Sequence, residues 1–228
     1  VNGPTMGAYL AALDIIAEKS DVDVQVLAMP GIREEKLTDT AIDKTEERFD
    51  AIYLMDIEER NTLNNIITGS IELKDAVHVT NTVDALKNRN LDSSFAAAYF
   101  PDLLMNDPSD PGAVVAVPPT VAVLGAYSLN DKLAYPWYAP AGFTRGALGN
   151  IIETKVKFNR TNLDVLYDAD INPIAAFPSS PGLTVWGQKT LLAANSALDR
   201  VNVRRLLIDV RRKVRGIADQ FLFEPNRE

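Results

Sequence analysis

Between Tyr9 and Phe100 the apolar residues change period again and again, and this switching restricts the fold more than any other feature of the chain. Leu10, Leu13, Ile16 and Ala17 recur at three- and four-residue spacing within Tyr9–Lys19, which predicts an amphipathic helix. "VDVQVLAM" (Val22–Met29) alternates, turns wholly apolar and meets Pro30 and Gly31, which predicts a strand and its end. The unit recurs: Thr40–Phe49 has helical spacing, and "AIYLMD" (Ala51–Asp56) reads as a short buried strand. "AVHVT" (Ala76–Thr80) and "FAAAYF" (Phe95–Phe100) follow as third and fourth strands, with "TVDALKN" a helix between them. Strands apolar on both sides need a layer on each, so the expected class is α/β, a mostly parallel sheet flanked by helices.

"NDPSDPG" (Asn106–Gly112) is the strongest loop signal and divides the chain into an α/β portion, residues 1–112, and the remainder, 113–228; the two can form one continuous domain. After it, "AVVAVPPTVAVLGAYSLND" predicts an edge strand and a helix begun by proline. Asn162–Asp168 reads as a short helix, "INPIAAF" as a strand and "GLTVWGQKTLL" as another. On the last helix Val203, Leu206, Leu207, Val210, Val214, Ile217, Ala218 and Phe221 form one stripe, expected to face the core. Arg204, Arg205, Arg211, Arg212, Lys213 and Arg215 crowd the same helix and are expected opposite it, as a solvated face or a subunit contact.

Charge is placed unevenly. Residues 1–60 hold 14 acids against six bases and so carry the whole net charge of −8, while the remainder balances. A general nucleic-acid binder would need a dominant basic excess, so an acidic front and basic rear fit self-association better. No apolar run is long enough to cross a bilayer, which argues against membrane insertion. The lack of cysteine excludes disulfides and thiolate chemistry.

The residues offer little to a catalyst. His78 is the one histidine; it alternates with Val77 and Val79 in the predicted third strand, and no Gly-x-Ser-x-Gly elbow presents a serine to it. Asp168, Asp170 and Asn172 copy the first ligands of a calcium loop, but Pro173 and Ser179 stand where Gly and Glu are needed. Asp107 and Asp110, flanked by prolines, read as turn formers. Phosphate-cradling glycine motifs are missing, and no cofactor is expected.

"AYPWYAPAGF" (Ala134–Phe143) packs four aromatics, two prolines and Gly142 into ten positions, too stiff for a helix or strand. It reads either as a strut packed on the core or as the lining of a pocket. In the second case Tyr135, Trp137 and Tyr138 would serve an α/β hydrolase-like or carbohydrate-binding protein.

Several stretches resemble, in order, the contractile tail sheath proteins of bacteriophages: "MPGI", "RFDAIYLMD", "SSFAAAYFPDLL", "VAVPPTVAVLGAYS", "YPWYAPAG", "INPIAAFPSSPGLTVWGQKTL", "VNVRRLLIDVRRKV" and "FLFEPN". Pro118, Pro119, Trp137, Pro140, Ala141, Gly142, Trp186, Gly187, Thr190, Val203, Arg204 and Arg205 stand at positions matching that family's motifs. Gln188-Lys189 departs from the family's small residue and Arg, and "AYSLND" from its usual helix end. The resemblance implies a subtilisin-like sheath domain without its catalytic residues, followed by a smaller α+β portion. It implies a structural subunit, not an enzyme, that stacks with other copies as six-membered rings around a tail tube. It further implies contraction when a baseplate triggers it, in a virion assembled in the host bacterial cytoplasm. In this setting Trp137, Pro140, Gly142, Trp186 and Gly187 are expected as structural struts and the six basic residues of the last helix as a subunit interface. Family members exchange terminal extensions; because this chain opens at a helix and stops after "FEPN", it is expected to be a core fragment lacking them, and monomeric alone.

Overall fold

A computed structural model gives the fold and describes residues 4–19, 22–67, 76–110, 112–149, 151–178 and 182–224. Four parallel strands form its centre: β1 (Val26–Ala28), β2 (Ile52–Asp56), β5 (Ala96–Phe100) and β10 (Ile171–Ala176). They pair in that order, with Leu27 opposite Tyr53, Met55 opposite Ala98 and Ile171 opposite Ala98 on its other side. β11 (Leu183–Val185) and β8 (Ala147–Leu148) extend the same sheet antiparallel, giving the order β1-β2-β5-β10-β11-β8. The expected mostly parallel sheet therefore holds as far as β10 and turns antiparallel beyond it.

The wholly apolar strands are explained by two cores. Tyr53 and Met55 of β2, with Ala96, Ala98 and Phe100 of β5, enter one core; Ile52, Leu54, Ala97 and Tyr99 enter the other. Helices α1 (Met6–Ala17), α2 (Glu35–Arg48), α3 (Val79–Lys87) and α6 (Arg160–Asp168) cover the first face through Leu13, Ala41, Ile42, Val83 and Leu166. Helices α4 (Pro119–Leu133) and α7 (Val201–Ala218) cover the second through Val123, Ala126, Tyr127, Val201 and Ile208. Because the parallel strands run in one direction across the sheet, right-handed crossovers leave α2, α3 and α6 on one side. Among the described residues the four parallel strands thus show no reversal of order of the kind beside which open α/β sheets bind ligands.

Smaller pieces complete the chain. β3 (Glu59–Arg60) pairs with β4 (Ile66–Ile67), and β6 (Leu103–Asn106) lies between β7 (Val114–Val117) and β9 (Ile151–Thr154). The "NDPSDPG" loop is the tip of the β6–β7 hairpin, and α5 (Gly142–Arg145) precedes β8.

Three expectations need correction. Ala76–Thr80 is not a strand: α3 begins at Val79, and His78 caps it, with Nδ1 accepting from the Asn81 amide at 3.3 Å. The strand expected over Val22–Met29 is only Val26–Ala28. The strand expected through "GLTVWGQKTLL" stops at Val185, because the next residues turn to hydrogen-bond the buried Asn172 amide, whose Oδ1 accepts from Lys189 N at 2.6 Å.

Candidate functional site

Helix α7 is seated the opposite way to its amphipathic pattern. Its buried residues are Val201, Arg204, Arg205, Ile208 and Asp209. The stripe expected in the core faces outward instead, with Leu207 at 44%, Val214 at 58% and Phe221 at 66% exposure. The physical reason lies in what meets the inner face. Arg204 donates to Ser94 Oγ and stacks 3.9 Å over the Phe95 ring; Arg205 pairs with Asp131 and lies 4.7 Å over Tyr127. Guanidinium planes are weakly hydrated and stack on aromatic faces, so here they serve as core residues. Burial also pulls Arg204 below its ordinary value.

The remaining basic residues sit nearer the surface. Arg212 pairs with Asp23, Arg211 lies 5.0 Å over Phe49, and Lys213 bridges Asp209 at 2.7 Å while lying 5.2 Å over Trp137. Arg215 is exposed. The six residues are therefore not one surface: Arg204 and Arg205 are inside, Arg211, Arg212 and Lys213 lean on the chain itself, and Arg215 is exposed.

Trp137 is half-buried and stacks on Tyr135 at 4.7 Å with 4° between the rings, leaving Tyr138 6.1 Å from Tyr135. The buried Asn130 amide donates to the carbonyls of Tyr135 and Tyr138, tying the segment to α4, and Pro140 is buried. Gly142 takes φ +82°, which allows the bend into α5. Tyr135 stacks on both Trp137 and Tyr138, while the Tyr135 and Tyr138 rings themselves remain exposed. Trp186 packs with Phe177 at 4.4 Å and Phe143 at 5.1 Å, partly exposed, beside a groove of about 730 Å³. At Gly187 a Cβ would come within 2.7 Å of Asn172 Oδ1, so only glycine fits there.

What sequence reasoning missed is a cluster of buried charges at the carboxyl ends of β2 and β5. Lys155 Nζ lies 3.1 Å from Glu59 Oε2 and 3.8 Å from Asp102 Oδ2; Asp102 also pairs with Arg33, and its amide donates to Glu59 Oε1. Asp56 accepts from Gly31 N, Thr120 N and Thr120 Oγ1 at 2.7 to 2.9 Å. Burial holds both Asp56 and Glu59 above the ordinary carboxylate range. The one signal available was Asp56 itself, a carboxylate ending an apolar strand. In α/β enzymes such strand ends hold substrate; here the chain's own cations and helix α4 fill the place.

The remaining candidates resolve into local structure. Asp170 pairs with Lys189 at 2.7 Å, and Asn172 donates to Ala98 O and Lys189 O, so neither side chain is available to a calcium ion. Asp107 accepts from the Ser109 amide, as a turn former does. Among the described residues no three His, Asp or Glu side chains are grouped as a metal ion requires, and no helix is long and apolar enough to cross a membrane.

The chain matches the phage tail sheath protein central domain family over residues 2–191. The tail sheath protein of Enterobacteria phage T4 is 26% identical over 239 residues, covering 97% of this chain and 34% of that protein. That of Vibrio phage KVP40 is 36% identical over 112 residues, 49% of this chain and 16% of that protein. The chain thus spans about a third or less of the length of these relatives. Among solved structures, the anti-feeding prophage helical sheath in its contracted state superposes over 100% of this chain and 55% of its own, with TM-score 0.68 and 20% identity. The PVC sheath complex of an extracellular contractile injection system, also contracted, superposes over 94% and 53%, with TM-score 0.66 and 24% identity. At these identities the superpositions establish the fold, a mixed α/β arrangement shared with sheath subunits. By the match over most of its length, the chain belongs to the phage tail sheath protein central domain family.

Proposed function

We propose that this chain is the core of a contractile tail sheath subunit, a structural part of a virion tail and not an enzyme. The observation that carries the reading is the family match over residues 2–191. The filled strand ends support it, since a sheet whose ligand-binding positions are closed by Lys155, Arg33 and Thr120 is built for rigidity. In this reading copies stack as six-membered rings around the tail tube, and contraction, triggered at the baseplate, drives the tube through the host envelope. The parallel half of the sheet corresponds to the subtilisin-like part of a sheath subunit, and α7 opens the smaller α+β portion. The acidic front and the outer basic residues Arg211 and Arg215 meet across copies, while Arg204 and Arg205 hold α7 in place. Assembly takes place in the host bacterial cytoplasm.

Immunogold labelling of purified virions with antibody raised against the 228-residue chain tests this. Label repeating along the tail shaft is expected. Label confined to the head, or to the tube once the sheath has been stripped, overturns it.

A further inference from the structure

The outward face of α7 has a geometry of its own. Along α7 Val203, Leu207, Val210, Val214 and Ile217 follow one another at steps of four and three residues, the seam spacing of paired helices, and Phe221, in the 3-10 turn that continues the helix, comes four residues later. The last five are exposed, and the flanks of the stripe are cationic: Arg211, Lys213 and Arg215. Two α7 helices laid together would therefore set like charges side by side, so the complement of this face carries acid.

The same chain presents such a complement. Helix α1, "MGAYLAALDIIA", buries only Leu13 and has a single charged residue among 12. Its outward side is Ala8, Ala11, Ala12 and Ile15, all exposed, with Asp14 and Glu18 along one edge. Small side chains let a second helix approach closely, and Asp14, whose carboxylate lies 3.3 Å from Lys44 Nζ of its own chain, still keeps its side chain 68% exposed. We propose that α7 of one copy docks its apolar stripe on α1 of a second copy, with Arg211 and Arg215 facing Asp14 and Glu18. This contact rests on the polymer reading above and gives it an interface. Because it joins two different surfaces, each copy keeps one of each free, and the association extends head to tail instead of closing as a pair.

Size sets its strength. A helix of this length is about 18 Å long, and a strip of roughly 10 Å width along it is far below the about 800 Å² per partner of a stable isolated complex. The contact is one of several in an array and transient in dilute solution, which calls for covalent trapping.

The chain has no cysteine, so Ile15→Cys and Val214→Cys each supply a unique thiol at an exposed position. The two variants are treated with a short bis-maleimide separately and as an equimolar mixture. Covalent dimer several-fold more abundant in the mixture than in either single variant is expected, falling with added salt and on Glu18→Arg. Equal yields in all three reactions, or dimer arising mainly from Val214→Cys alone, overturn the proposal. Virions that carry the antibody label along the tail but yield no Ile15–Val214 product leave the sheath reading standing and overturn this contact alone.

Discussion

Lys155 Nζ lies 3.1 Å from Glu59 Oε2, and neither side chain has any solvent exposure. The two residues are brought together from β3 and from the end of β9, 96 positions apart. A charge left alone at such a site cannot be rehydrated without opening the structure. Lys155→Met is therefore expected to destabilise the protein by about 3–5 kcal/mol, and Glu59→Gln with Lys155→Met by less than the two single changes summed. Urea titration of the four proteins measures this; additive costs would mean the pair is not coupled.

The seating of α7 makes an unusual mutational pattern. Arg205→Ala removes the partner of Asp131 and the cover of Tyr127, and roughly 2 kcal/mol or more should be lost. Val214→Asp, on the apolar stripe, should change stability by less than about 0.5 kcal/mol. Thermal melts of both variants decide, and the reverse ranking would put the stripe back in the core.

Asp56 gives the pH dependence a sign. Burial raises its proton affinity above the ordinary carboxylate value near 3.8, outweighing its hydrogen bonds from Gly31 and Thr120 and the attraction of Arg33. The folded chain therefore takes up this proton at a pH where the unfolded chain has not. The stability contributed by protonation is present below the unfolded value and lost as pH rises through the folded one. Relative to Asp56→Asn, the wild-type chain should gain stability as pH falls from neutral toward the ordinary range. A wild-type chain that loses stability relative to Asp56→Asn on acidification would show that the three hydrogen bonds win over burial.

Gly187→Ala tests the contact that ends β11. The added methyl would lie 2.7 Å from Asn172 Oδ1 and 2.9 Å from its Cα, and Asn172 is held by three hydrogen bonds. A loss of about 1–3 kcal/mol is expected. Gly149→Ala, where nothing lies within 4 Å, serves as the control.

Trp137 is half-buried, stacked on Tyr135 with Lys213 5.2 Å from its ring. Trp137→Ala should cost about 1–2 kcal/mol, less than the about 3–5 of a fully enclosed ring. If stability is unchanged while binding to a carbohydrate array disappears, the segment is a ligand site and not a strut.

The central strands were readable because their signal is local. Ala51–Met55 and "FAAAYF" are apolar at every position, and a strand without a polar side must lie between two layers, as Ile52 and Tyr53 do in opposite cores. The double proline before α4 and the glycine-proline stiffness of Ala134–Phe143 were legible for the same reason, since both act through φ of the residue itself. The order of the sheath-like motifs was likewise a property of the string of residues alone.

The direction α7 faces was not. Its periodicity defines a stripe but not the side that meets the core, and that choice was made by Ser94, Phe95, Tyr127 and Asp131, residues 74 to 110 positions away. These aromatic and polar groups receive guanidinium planes better than methyl groups, so Arg204 and Arg205 went in and the apolar stripe faces outward. The ion pairs under Lys155 have the same origin. Glu59, Asp102 and Lys155 look like ordinary surface charges one at a time, and only the folding of three distant segments onto one site turns them into a closed core.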